Sequence, residues 1–536
     1  MMKTKMNTKR LVLYVAALVM ALMGGSALAD GPGQRPLTDQ EKRGKQIYLR
    51  GESDSGKEIT AYLGDGATEL PATAMACVNC HGFDGRGRPE GGVIPSDIRW
   101  ELLTKSYGVT HPTGRKHPPY TDRALELSIT KGFDPAGNRL PDAMPRYWMS
   151  SDDLSALVAY MKLLGKEQDP GLTQTSVRIG TIVPSQGHLR EMGMAVKAAL
   201  GAYFAEVNAR GGVFNRKLEL RAVESAGSAP ATKAALDQLA DRDRVFAVAA
   251  PFISGAEKEV REAAEEKELL MVGPSTPYPE TGFPMPRYIF YIFSGLKEQA
   301  MALVNFTSDS FGKEQLKIAV IHSESENFAA AASAVAEQCK KRGLDRLIKI
   351  GYAPGKLDVA RMASELSGAG FNTILFLAPG EDAVQLMKEA ARLNWTPRVL
   401  VPGSLVSKSI LEAPPAFKER LFLSFPTLPS DQARDAVTEY MSLAEKYRLP
   451  AGYQAAQLSA LCAAKVLVEG LKLSGKEVSR EKLITMLEGF YNFETGLAPP
   501  LTFGPNRRVG ALGAYIVSID PANREFKPAS NWVAIE

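Results

Sequence analysis

The chain has 536 residues, too many for one compact core and enough for about three to four domains of ~150 residues each. Hydrophobic residues make up 45% and charged residues 23%, ordinary globular values that exclude disorder, a collagen-like fibre and a multi-span membrane protein. The formal charge of +4 is the contribution of Lys3, Lys5, Lys9 and Arg10, and the rest of the chain balances 60 basic against 60 acidic residues, so no nucleic-acid footprint remains. Four cysteines in so long a chain exclude a disulfide-stapled scaffold.

Residues 1–29 read as a secretory signal: a basic stretch from Lys3 to Arg10, an apolar run over 11–22, and the small-residue cleavage site Ser26-Ala27-Leu28-Ala29. The apolar run falls short of the ~20 residues needed to span a bilayer. Cleavage is expected after Ala29, giving an exported, periplasmic protein that starts at Asp30.

Two compositional regimes follow. Residues 30–168 are rich in Gly, Pro and turn signals. Residues 169–175 are polar, contain Pro170-Gly171 and read as a linker. From 176 to the end, short β-branched runs alternate with amphipathic helices. The strands are expected at 176–182, 217–223, 245–249, 269–272, 318–321, 372–377 and 398–401. The helices are expected at 191–209, 230–239, 257–266, 328–342 and 381–393. Apolar strands alternating with helices imply parallel sheets with right-handed crossovers, and about 360 residues of this pattern implies two α/β lobes.

Within the first regime stands Cys77-Val78-Asn79-Cys80-His81, the C-x-x-C-H pattern of c-type heme attachment. Two thiols on one turn meet the two vinyl groups of the porphyrin, and the adjoining imidazole meets the iron. A zinc site would need two more ligands, yet Cys339 and Cys462 lie far along the chain. A thioredoxin-like motif would need a βαβ context, which is missing. The sixth iron ligand is expected to be a methionine, whose thioether raises the reduction potential relative to His. Met144 precedes Pro145, which holds it in extended backbone on a rigid loop. Met149, the alternative, sits just before the N-cap cluster at 150–153, where an apolar residue staples a helix start. Arg86 and Arg88 would either pair with heme propionates or lie solvated on the surface. His111 and His117, in a Pro-rich loop, read as surface residues, with iron ligation as the lesser alternative.

Residues 38–165 resemble a class I cytochrome c domain. The features carrying this are Gly44-Lys45-Gln46-Ile47-Tyr48, the Cys77 to His81 site followed by Gly82, the Met144-Pro145 loop, and a closing helix with Tyr160. The resemblance implies an all-α domain with one covalently bound heme c. The 28 residues between Tyr48 and Cys77, and the Pro-rich stretch 107–120, are longer than the family pattern.

Residues 176–520 resemble the type 1 periplasmic solute-binding proteins, in particular the branched-chain amino-acid receptor group that binds Leu, Ile and Val. The matching stretches include Val177-Arg178-Ile179-Gly180, Asn208-Ala209-Arg210-Gly211-Gly212-Val213, Gly273-Pro274-Ser275-Thr276 and Pro500-Leu501-Thr502-Phe503-Gly504-Pro505-Asn506. The resemblance implies two lobes closing on a small ligand, and strand-to-helix loops at the carboxyl ends of parallel strands suit such a site. Ser254 falls at the family's carboxylate-binding loop, although capping its own helix explains it equally. The loop with Ser275 and Thr276 would contact the ligand's amino and carboxylate groups. Phe328 falls where the family has a covering aromatic, with core packing the alternative. Asp382 falls at the ammonium-binding acid, where it would also stabilise a helix dipole. His188 replaces the small residues usual at the cleft mouth, so the ligand need not be an amino acid. Cys339 and Cys462 read as buried, inert thiols.

No nucleophile–base pair, phosphate loop or second metal cluster stands out, so no catalytic residue and no enzymatic activity are expected. The favoured reading is an electron-transfer cytochrome whose receptor domain binds a small solute and whose redox partner is a periplasmic dehydrogenase or oxidase. The alternative is a receptor for amino acids or similar molecules that serves an ABC permease and carries an accessory heme. A catalytic, peroxidase-like heme would need an open iron position, which Met144 argues against.

Overall fold

The computed structural model describes residues 37–64, 68–87, 92–166 and 169–535. The expected signal segment and Arg88 lie outside them. The chain divides into two compact units, 1–168 and 169–536.

In the first unit, α1 (Asp39–Arg50) begins at a capping box in which Thr38 and Glu41 satisfy each other's backbone N–H groups. It ends at Gly51, whose positive φ of 70° closes the last turn. Next come β1 (Thr60–Leu63), β2 (Thr68–Pro71), α2 (Cys77–His81), α3 (Trp100–Leu103), β3 (Val109–Thr110), β4 (Lys116–His117), α4 (Asp122–Lys131), β5 (Arg146–Trp148) and α5 (Ser151–Met161). α1 crosses α5 at close range: a Cβ on Gly44 would lie 2.0 Å from the Ala156 carbonyl oxygen. The Tyr48 and Tyr160 rings meet there with centroids 5.7 Å apart. Helices carry the core, and a small antiparallel sheet in the order β2-β1-β5, with the β3–β4 hairpin, adds to the all-α expectation. The extra chain before Cys77 supplies β1 and β2, and the Pro-rich stretch supplies the hairpin.

The second unit contains β6 (Ser176–Pro184), α6 (Arg190–Ala209), β7 (Lys217–Ser225), α7 (Ala229–Asp237), β8 (Ala247–Ala249), α8 (Glu257–Glu266), β9 (Leu270–Val272), β10 (Ile289–Phe293) and α9 (Leu296–Ser310). The second lobe follows with β11 (Ile318–Ser323), α10 (Glu326–Lys341), β12 (Leu347–Tyr352), α11 (Val359–Gly368), β13 (Thr373–Leu377), α12 (Gly380–Arg392), β14 (Arg398–Pro402) and β15 (Leu421–Phe425). The chain then returns through α13 (Arg434–Tyr447), α14 (Gln454–Ser474) and α15 (Arg480–Glu488), which pack on the first lobe. It closes with β16 (Val509–Ala511), β17 (Gly513–Asp520), β18 (Glu525–Pro528) and β19 (Val533–Ala534).

The first-lobe sheet runs β16-β10-β9-β8-β6-β7, all parallel. The second runs β12-β11-β13-β14-β15-β17-β18, with β19 also on β17 and the last strands antiparallel. Of the strands found by pattern, β6, β8, β9, β11, β13 and β14 are inner, largely buried strands, whereas β7 is an edge strand; the inner strands β10 and β15 were not found. The edge strand β12 escaped it because only Tyr352 is buried there.

Residues 169–175, expected as a linker, belong to the second unit instead. Leu172 is buried in the first-lobe core, and the Asp169 carboxylate accepts from the Arg480 backbone N–H at 2.6 Å. A Cβ on Gly171 would meet the Phe246 backbone nitrogen at 2.4 Å. Polarity and Pro-Gly mark a turn, but here the turn is pressed against a β-sheet. Cys339 and Cys462 are buried and unpaired, and burial pushes their thiols up to about 12 and about 11.

Candidate functional sites

In the first unit the five residues of α2 form a single turn that brings Cys77, Cys80 and His81 to one cavity. Burial pushes the Cys77 thiol up to about 12. The cavity encloses about 1100 Å³ including its open mouth, and its wall is mainly apolar, with Ile98, Leu103, Leu157 and Met161 among the lining residues. The His81 Nδ1 donates to the Ser96 carbonyl at 3.0 Å, which leaves Nε2 with a bare lone pair. Burial holds this imidazole below its usual range, against the pull of Ser96 and Asp97, so it stays neutral. The Tyr48 hydroxyl donates to the Gly82 carbonyl at 2.7 Å and fixes the chain just after His81.

Met144 also lines the cavity, on the loop held by hydrogen bonds from Arg146 to the Met144 and Leu140 carbonyls. Met149 does not line it, and packs with Leu154 against the core at the start of α5.

His111 and His117 are not surface residues: they are 6% and 4% exposed, on either side of the β3–β4 hairpin. The His117 Nδ1 donates to the Pro118 carbonyl at 2.7 Å, so its Nε2 accepts from His111 Nε2–H at 2.9 Å. Burial, then the charge of Arg115, pushes His111 down to about 4. Arg115 lines the cavity beside His111, donates to the Ser96 hydroxyl at 3.0 Å and pairs with buried Asp134 at 2.7 Å. Arg86 lies against Asp84 at the surface, at 3.4 Å. The signal that could have found Arg115 was its place between two histidines in a loop too long for the family.

Two thiols, an imidazole with a free ring nitrogen and a thioether thus face one apolar cavity, with a cation at its polar end. That donor set fits a c-type heme.

In the second unit, a pocket of about 410 Å³, including its mouth, sits at the carboxyl ends of the first-lobe strands. Its wall comprises Ile182, Val183 and Pro184 at the end of β6, Met192 and Val196 of α6, Phe252, Ser275, and Ala456 and Ser459 of α14. Of the residues singled out by sequence, only Ser275 lines it. Ser254 is half-buried just before α8. Thr276 donates its hydroxyl to the Glu257 carboxylate at 2.5 Å, and the same carboxylate accepts from the Gly255 N–H at 3.1 Å. Phe328 packs partly against the second-lobe core. Asp382 stands in the first turn of α12 and accepts from the Tyr352 hydroxyl at 2.6 Å. Burial raises the Tyr352 pKa, and its bond to Asp382 raises it further. His188 is exposed. Glu257 was invisible to the sequence reading because an acid in a first helical turn needs no explanation beyond the dipole.

A family model described as "Cytochrome c" matches residues 66–165, and one described as "Periplasmic binding protein" matches residues 176–524. The chain belongs to the periplasmic binding protein family and carries a cytochrome c domain ahead of that fold. A cytochrome c domain implies covalently bound heme c. Leu/Ile/Val-binding protein homolog 8 of Brucella abortus (strain 2308) is 23% identical over 240 residues, covering 42% of this chain and 58% of the relative. The chain therefore spans less than two thirds of that relative's length. An amino acid binding protein of Pseudomonas aeruginosa is 20% identical over 283 residues, covering 52% of this chain and 74% of the relative.

Among solved structures, a fatty acid ABC transporter substrate-binding protein from Thermomonospora curvata aligns with 69% of this chain and 95% of its own, at 20% identity and a TM-score of 0.53. A branched chain amino acid ABC transporter from Thermus thermophilus with bound valine aligns with 68% of this chain and 98% of its own, at 17% identity and a TM-score of 0.52. At these identities the likeness is one of fold. Among the described residues, no helix is long and apolar enough to cross a membrane.

Proposed function

We propose that this protein is a periplasmic electron carrier with one heme c, joined to a receptor that binds a small solute without transforming it. The observation that carries the reading is the convergence of Cys77, Cys80, His81 and Met144 on a single apolar cavity. The two thiols would form the thioether links, His81 would ligate through Nε2, and Met144 would close the sixth position. Arg115 would receive a porphyrin carboxylate, with His111 beside it. Heme c supplies reversible one-electron chemistry at its iron. The chain's own part is to hold His81 neutral by burial and oriented through Ser96, to exclude water with the apolar wall, and to set the potential through the Met144 thioether.

The receptor would collect its solute at the first-lobe pocket and close the second lobe over it. The electron partner under this reading is a periplasmic dehydrogenase or oxidase. A second reading, a receptor delivering solute to an ABC permease, draws support from the names of the solved relatives.

The test uses the heme-loaded, exported protein. Pyridine hemochrome analysis is expected to give one heme per chain, and osmotic-shock fractionation to release the protein with periplasmic markers. A thermal-shift screen over amino acids, alcohols, aldehydes, amines and aromatic acids is expected to give stabilising hits, about 2.7 kcal/mol at a hundred times the dissociation constant. A chain without covalent heme would sink the electron-carrier half, and a screen without hits the receptor half.

A further inference from the structure

The seat at the start of α8, where an incoming carboxylate is expected, is already filled by the protein itself. The Glu257 carboxylate accepts from the Gly255 N–H at 3.1 Å and from the Thr276 hydroxyl at 2.5 Å, so two of the donors of the loops expected to hold a ligand carboxylate are already engaged. Thr276 directly follows Ser275 in the pocket wall, so this negative charge adjoins the pocket. The Tyr278 hydroxyl lies close by, its pKa raised by burial and by the Glu257 charge. Among the described residues Glu257 carries no ion pair, and no Lys or Arg lines the pocket. The wall itself is aliphatic and aromatic. A ligand carboxylate entering here would lose water, meet a like charge and find the Gly255 N–H and the Thr276 hydroxyl taken. An amine or hydroxyl head would instead donate to the Glu257 carboxylate already in place.

Resting on the solute-receptor reading above, we infer that the receptor takes a small apolar molecule whose head donates hydrogen bonds and carries no negative charge, an amine or an alcohol, and that Glu257 excludes carboxylates.

Four probes sharing one branched apolar body separate the possibilities: 3-methylbutylamine, 3-methyl-1-butanol, 3-methylbutanoate and leucine. Each is titrated calorimetrically into the full-length, heme-loaded protein. The amine or the alcohol is expected to bind at least 100-fold more tightly than the acid and leucine, and which of the two wins decides the head group. Glu257→Gln, nearly isosteric, is expected to gain 10-fold or more for 3-methylbutanoate, while Glu257→Asp, which keeps the charge, retains the discrimination. Melting temperature and heme spectrum, unchanged in both variants, establish that they fold. The inference is overturned if leucine or the acid binds the natural protein as tightly as the amine or the alcohol. It is equally overturned if none of the four binds, or if Glu257→Gln leaves the ratio unmoved. The receptor reading is judged separately, by the wider solute screen.

Discussion

In the cytochrome unit both thiols and the imidazole come from five consecutive residues, Cys77 to His81, and one helical turn is enough to bring them together. In the receptor unit the candidate residues are scattered from Ser254 to Asp382, and Ser275 alone of them lines the first-lobe pocket, at the carboxyl ends of parallel strands. The first site is encoded by spacing and tolerates changes elsewhere in the chain. The second is encoded by topology, and an acid such as Glu257 can engage donors of two separate loops without leaving a motif. Bond-forming sites are written in residue order, whereas shape-selective ones are written in the fold.

The sharpest test of that contrast is Cys77→Ser with Cys80→Ser. Covalent heme is expected to vanish completely from a heme-stained denaturing gel, while solute-induced stabilisation of the receptor unit persists. Loss of both together would break the separation of the two sites.

Replacing the sulfur donor comes next. Met144→His is expected to lower the midpoint potential by on the order of 0.1–0.3 V, within the range of ≈ 0.8 V that axial ligands span. Met149→Leu, in the core beside α5, is expected to leave redox titrations unchanged. A large shift from Met149 and none from Met144 would exchange their roles.

Arg480 provides the counterpart in the receptor unit. Its buried guanidinium donates to the carbonyls of Val245, Phe246 and Glu268, at 2.6, 2.8 and 3.1 Å. Arg480→Met would orphan those acceptors and cost about 3 kcal/mol of receptor stability by chemical denaturation. The heme spectrum should not change.

The smallest effect is expected at Asp153. This fully buried carboxylate accepts from Ser53, Ser55 and Ser150. Burial alone would raise its pKa, but those three hydroxyls outweigh burial and hold it below the usual carboxylate range. A depressed folded-state pKa contributes stability that is present above the unfolded value of ~3.9 and is lost as pH falls through the folded one. Asp153→Asn is expected to cost about 2 kcal/mol at pH 7. It should also flatten the stability of the cytochrome unit between pH 4 and 2, as followed by acid titration of near-UV circular dichroism.

The heme motif, the two α/β lobes, most of the central strands (not β10 or β15) and the α8 helix were legible because each rests on a local signal: a fixed spacing, a doubly buried apolar run or an amphipathic repeat. Edge strand β12 was not, since half-solvated strands carry little pattern. The burial of His111 and His117 was hidden because polarity in a Pro-rich loop looks the same whether a hairpin faces water or folds over a cavity. The turn at 169–175 was misread for the same reason: composition reports that the chain bends, not what it bends against.

By itself, then, the sequence determined which atoms can bond to a heme and how many layers the second half must form, because covalent reach and hydrophobic periodicity act between near neighbours. Only the tertiary structure decided that Arg115 stands at the cavity beside His111, that Met144 rather than Met149 lines it, and that the Glu257 carboxylate takes up the Gly255 N–H and the Thr276 hydroxyl. Each of those facts depends on groups far apart in sequence meeting out of water, where the position of one charge decides what else can be bound.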